Sequence, residues 1–231
     1  MKDTILVIAA HPDDEIIGCG GTILKHVKNK DSVYSLILSK GVQSRFKKNN
    51  SSKKIQKYKE SLNNETLKAN SSLGVKKIFS EDFPDNNFDS VSLLDIVKKI
   101  EFHFDKIQPS IVYTHSNFDL NIDHQITFRA VLTASRPKID SKISKIFSFE
   151  IPSSSDWSFG LNNRNFNPNY FVGIEKEVNR KIKALKYYKS EMRKFPNSRS
   201  LKNIQNLAAV RGATVGLKAA EAFEIVRYIK K

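Results

Sequence analysis

The chain has 231 residues, 39% of them apolar, with 15 phenylalanines, seven tyrosines and one tryptophan, enough for one well-buried core but not for two comfortable domains. Its longest apolar run, Ile5 to Ala10, is far short of the about 20 residues a membrane-spanning helix needs, no basic-then-apolar leader precedes it, and the lone Cys19 excludes an internal disulfide or a cysteine-rich zinc site. The formal charge of +15 would suit anionic partners, but the lysines are spread along the chain and the densest basic stretch, Ser44 to Lys59, has an Asn-Asn-Ser-Ser centre, so a solvated loop is expected there and no nucleic-acid role.

Thr4 to Ala10 is a continuous apolar run rich in β-branched residues, the pattern of a strand covered on both faces. Glu15 to Lys28 has helical spacing, and Val33 to Ser39 reads as a second buried strand. A helix is expected from about Ile55 to Leu73, stopped by Gly74, then a short strand at Lys77 to Ser80. Val91 to Ile107 is amphipathic and closes at Pro109, ahead of a strand at Ser110 to Thr114. Asp123 to Ser135 reads as a helix and Lys145 to Phe149 as a strand. Pro152 to Gly173 is loop-rich, and Glu175 to Lys194 and Ala208 to Ile229 read as two further helices. Strands alternating with helices predict a Rossmann-like α/β fold, with a mostly parallel sheet, helices on both faces and a helical C-terminal part. Residues 1–231 are expected to form a single domain, with an α/β core at 1–150 and the loop-rich and helical part at 151–231. The expected location is cytoplasmic.

In such sheets ligands bind beyond the carboxyl ends of the strands, where strand order reverses. Two of those ends carry unusual chemistry: His11-Pro12-Asp13-Asp14-Glu15 after the first strand, and His115 through His124 after the Ser110 strand. Gly18, Gly20 and Gly21 do not form the G-x-G-x-x-G of a dinucleotide site, and a turn holding three carboxylates would repel a phosphate but attract a cation. The glycines are expected to let helix and sheet approach closely. His11 and Asp14 stand three apart across a turn stiffened by Pro12, and His124 adds a second imidazole. Two histidines and one carboxylate, with a position open for water, suit Zn²⁺, and Fe²⁺, Co²⁺ or Mn²⁺ would also be accepted. The remaining carboxylate of the Asp13–Asp14 pair is then free to act as a base, although chemistry alone leaves open which aspartate does which.

A-H-P-D-D-E-x-x-G-x-G-G followed by D-x-N-x-D-H resembles the zinc-dependent N-deacetylases of the PIG-L/LmbE family. The resemblance extends to Phe149 through Trp157, to Phe195-Pro196 with Arg199-Ser200, and to Arg211-Gly212 with Ala220 through Phe223, which point to a bacterial branch acting on sugars. It implies His11, Asp14 and His124 as metal ligands and Asp13 as general base. Some members carry a histidine three residues before the last ligand; here that position is Asn121, which can donate a hydrogen bond but cannot shuttle a proton. Asp13 would then both take and return the proton, and Asp123 would hold a neighbouring ligand or Asn121 in orientation. Arg45 matches an arginine placed near the substrate, and His115 is expected to line the pocket. The expected partner is an acetylated amino sugar or glycan precursor, in a protein with no integral membrane segment that is compatible with homo-oligomerisation. The alternatives are an amidase acting on another acyl amide, or a catalytically quiet, metal-holding glycan-binding member.

Overall fold

The computed structural model describes residues 2–41, 52–160 and 165–230. In chain order it contains β1 (Thr4–Ala9), α1 (Asp14–Lys28), β2 (Ser32–Ser39), α2 (Ser52–Leu73), β3 (Lys77–Phe83), α3 (Leu93–Ile107), β4 (Ile111–His115), α4 (Ile122–Ala134), β5 (Lys145–Phe149), β6 (Tyr170–Gly173), α5 (Val178–Leu185), α6 (Leu201–Ala213) and β7 (Ala220–Tyr228). They build one seven-stranded sheet in the order β3-β2-β1-β4-β5-β7-β6. The first five of these strands are parallel, and β7 pairs antiparallel with both β5 and β6.

Alternation along β1 divides the core between the two faces of the sheet. Ile5 and Val7 pack with residues of α1, α2 and α5, including Ile16, Leu73 and Leu185, whereas Leu6 and Ile8 pack with α3 and α4 residues such as Ile96, Ile100 and Val131. Both faces are therefore covered, which is why β1 reads as an unbroken apolar run from Ile5. Successive strands are added to one side of β1 up to β3 and to its other side from β4 onward, and the crevice at that switch between the parallel β1 and β4 is where the two polar strand ends meet. The glycines of α1 do permit close approach: a Cβ on Gly18 would overlap the Phe149 ring of β5, and one on Gly21 would stand 2.7 Å from Ile174. Gly74, at φ +85°, ends α2 as expected.

The C-terminal part departs from the sequence expectation. Ala208 to Ile229 is not one helix, because α6 ends at Ala213 and Ala220–Tyr228 is strand β7. Alanine and glutamate favour a helix locally, but β5 would otherwise be an open edge, and β7 covers it while burying Phe223 against Tyr113, with ring centroids 5.2 Å apart. Glu175 to Lys194 is likewise shorter, since α5 stops at Leu185; beyond it the Tyr188 hydroxyl donates to Glu15 at 2.6 Å. The loop-rich Pro152–Gly173 stretch contains the short edge strand β6.

β7 also supports α1 chemically. Cys19 breaks the helical backbone inside α1 (φ −144°), and the N–H groups of Gly21 and Thr22 donate instead to the buried Glu221 carboxylate at 2.8 and 2.7 Å. Lys181 of α5 donates to the same carboxylate at 2.6 Å and to the Ile17 carbonyl at 2.7 Å.

Candidate metal centre

Asp13 begins the site. It caps α1 in the left-handed region at φ 97°, a conformation that costs a non-glycine residue energy and that clusters at functional sites. Its carbonyl accepts the N–H groups of Ile16 and Ile17, and its own N–H donates to Glu15 at 3.0 Å. Glu15 is buried and also accepts from Asn70 at 2.7 Å; burial pushes its pKa up to about 7. This turn projects Asp14 toward the end of β4.

His11 Nδ1, Asp14 Oδ2 and His124 Nε2 form a near-equilateral triangle, with separations of 3.3 Å from His11 to Asp14, 3.2 Å from His124 to Asp14 and 3.2 Å between the two imidazoles. Their far sides are fixed. His11 Nε2 lies 2.9 Å from Asp123 Oδ2, and His124 Nδ1 lies 3.0 Å from Asp119 Oδ2. Carboxylates on those nitrogens hold the protons there, leaving two ring lone pairs and a carboxylate oxygen converging on one point. Ligands about 2.0 Å from a tetrahedral ion stand about 3.3 Å apart, so the donor set fits a divalent cation. A second grouping, His115 with Asp119 and His124, is entirely buried, whereas the first borders a cleft.

The same carboxylates make the two imidazoles basic, so a cation competes with protons for these nitrogens. Burial opposes charge on His11, but Asp123 and Asp14 outweigh it and push its pKa up to about 9; against the same burial, Asp119 and Asp14 push His124 up to about 10. Burial also works against the Asp14 charge, yet His124 and His11 hold that carboxyl well below the usual range. Burial pushes the Asp13 carboxyl well above it, against the pull of Arg199 and with the push of Asp14. Adjacent carboxylates are thus driven apart, one suited to holding a cation and the other to taking a proton.

Asp123 accepts the backbone N–H groups of Phe88 and Asn86 at 2.9 and 2.7 Å, besides facing His11. Asn121 caps α4, its Oδ1 accepting from the Asp123 N–H at 2.8 Å and its Nδ2 donating to Asn86 at 3.0 Å. Asn121 lines the cleft together with His11, Asp13, Asn86 and Arg199. The cavity is about 200 Å³, below the roughly 300 Å³ at which pockets for drug-sized ligands begin, so it suits part of a larger molecule. His115 corrects the expectation that it lines the pocket. It is completely buried, its ring stacked 3.9 Å behind His124 and its Nε2 accepting the Ala10 N–H at 2.9 Å. Arg45 lies outside the described residues.

Two neighbours of the site were not assigned roles from sequence. Asp119 stands behind His124 and accepts the hydroxyls of Ser154 and Ser155, which tie the loop after β5 to the site. Arg199 grips Asp13 and Asp14 from the far end of the chain. Both fall within motifs quoted for the family resemblance, which was the available signal. Among the described residues, no helix is long and apolar enough to cross a membrane.

A family profile described as GlcNAc-PI de-N-acetylase, PIG-L, matches residues 6–135. The uncharacterized deacetylase YaiS of Escherichia coli K12 is 27% identical over 192 residues, covering 80% of this chain and 90% of its own. N,N'-diacetylchitobiose deacetylase of Pyrococcus horikoshii superposes with a TM-score of 0.78 at 20% identity, over 97% of this chain and 84% of its own. GalB, a 4-carboxy-2-hydroxymuconate hydratase of Pseudomonas putida, superposes equally well, with a TM-score of 0.78 at 19% identity over 100% and 98%. At such identities the structural likeness speaks for the fold alone.

Proposed function

Because this chain belongs to the PIG-L family, described as GlcNAc-PI de-N-acetylase, we propose that it is a metal-dependent hydrolase that removes the acetyl group from an N-acetylated amino sugar. The observation that carries this reading is the triangle of His11, Asp14 and His124 donor atoms beside the proton-accepting carboxylate of Asp13 at one small cleft.

His11, Asp14 and His124 are the residues that would hold the ion, Zn²⁺ by preference for two nitrogens and one oxygen, with Fe²⁺ or Co²⁺ also suited. When bound, the ion supplies Lewis acidity to the amide carbonyl and to the attacking water. Asp123 and Asp119 hold the two imidazoles in the tautomers that present lone pairs. Asp13 takes the water proton as the carbon–oxygen bond forms, then returns it to the amine as the carbon–nitrogen bond breaks, giving acetate and a free amino sugar. Asn121 spends one Nδ2 hydrogen on Asn86, and the other is available to the developing oxyanion. No proton shuttle is needed at position 121 if Asp13 makes both transfers.

A hydration reaction would use similar groups, and a hydratase shares the fold, so the test must read the bond broken. Acetate release from a panel of N-acetylglucosamine derivatives should require divalent metal, stop on chelation and return with Zn²⁺ or Co²⁺. Metal-loaded protein that releases no acetate from any acetylated amino sugar would overturn the proposal.

A further inference from the structure

Arg199 has no part in the scheme above, yet it touches both aspartates of the turn. Its guanidinium approaches Asp13 as a fork, with Nε 3.2 Å from Oδ2 and Nη2 2.5 Å from Oδ1. The same Nη2 donates to Asp14 Oδ1 at 3.0 Å, and Nη1 reaches the Ser153 hydroxyl at 3.3 Å. The loop that delivers the side chain is itself tied down: the Arg199 N–H donates to Asn197 Oδ1 at 2.9 Å, and its carbonyl accepts from Arg193 at 3.2 Å.

The two oxygens of Asp14 are therefore divided. Oδ2 faces His11 and His124, while Oδ1 is occupied by the guanidinium. A carboxylate can coordinate a cation through one oxygen or both, and the occupied oxygen holds Asp14 to one. Asp13 is meanwhile pinned at both oxygens while bordering the cleft. A mere counter-ion for two buried charges would need only a positive charge, which lysine also supplies. Simultaneous contact with three carboxylate oxygens uses the planar fork, which lysine lacks.

We propose that Arg199 is a positioning residue, holding Asp14 to a single metal-facing oxygen and fixing the aim of Asp13. The role at Asp13 rests on the deacetylase reading; the role at Asp14 does not.

The test compares Co²⁺-loaded wild type with Arg199→Ala and Arg199→Lys, reading visible absorption, bound cobalt per chain and the kinetics of acetate release. Both variants are expected to bind one ion. Their visible absorptivity should fall by about twofold as the freed Asp14 oxygen raises the coordination number. The kcat should fall about 10–100-fold while KM moves less than about threefold. Methylguanidine should restore kcat severalfold in Arg199→Ala but not in Asp13→Asn. Spectra and kcat matching wild type in Arg199→Lys would reduce the residue to a counter-ion and overturn the proposal. If Arg199→Ala does not fold, Arg199→Lys carries the same comparison. If wild type releases no acetate, the deacetylase reading falls, and the absorption spectra alone decide the Asp14 role.

Discussion

Oδ2 of Asp123 accepts from the Asn86 backbone N–H at 2.7 Å and lies 2.9 Å from Nε2 of His11, so a loop after β3 and an imidazole after β1 are held by one buried oxygen. Oδ1 accepts from Phe88. Three donors thus converge on this carboxylate. In Asp123→Asn the amide nitrogen must face at least one of them, leaving it unsatisfied at about 1–3 kcal/mol. Metal affinity should fall about 10–100-fold, measured by competition with a chromophoric chelator.

Asp13 borders the cleft but lies outside the donor triangle. Asp13→Ala is expected to bind one metal ion per chain and to lose about 10²–10⁴-fold in kcat. Elemental analysis and acetate release on the same preparation check both halves. Full turnover in this variant would remove the proposed base.

Metal should also stabilise the fold, because its donors come from both sides of the crevice between β1 and β4 and converge only in the folded chain. At free Zn²⁺ about 100 times the dissociation constant, the gain is about 2.7 kcal/mol. A rise in melting temperature with Zn²⁺, absent in His11→Ala, is the expected result.

Gly18 lies against the Phe149 ring with no room for a methyl group. Gly18→Ala should destabilise by about 1–3 kcal/mol through displacement of Phe149, read from the urea midpoint.

Glu221 tests the link between β7 and α1. Removing its carboxylate strands the buried Lys181 ammonium and the N–H groups of Gly21 and Thr22. Glu221→Ala is expected to cost about 3–5 kcal/mol in urea unfolding, with a slope that shows whether the edge of the sheet unfolds separately.

Short stretches of chain are enough to set part of this site. Thr4 through Lys28 contains a strand buried on both faces, a carboxylate-rich turn and a glycine-bearing helix, and their order places His11, Asp13 and Asp14 at a strand end wherever the rest of the chain goes. The same logic applies to β4, Asn121 and His124. Features that depend on partners far along the chain are set by packing instead. Ala220–Tyr228 is helical by composition and a strand by context, since an open edge at β5 and a buried lysine await it. His115 looked accessible until the stacking of His124 covered it. Arg199 meets Asp13 across 186 residues, and Asp119 meets Ser155 across 36. Local spacing carries the periodicity of strands and helices, but contacts at such separations are set by how the finished elements pack, which no window of sequence contains.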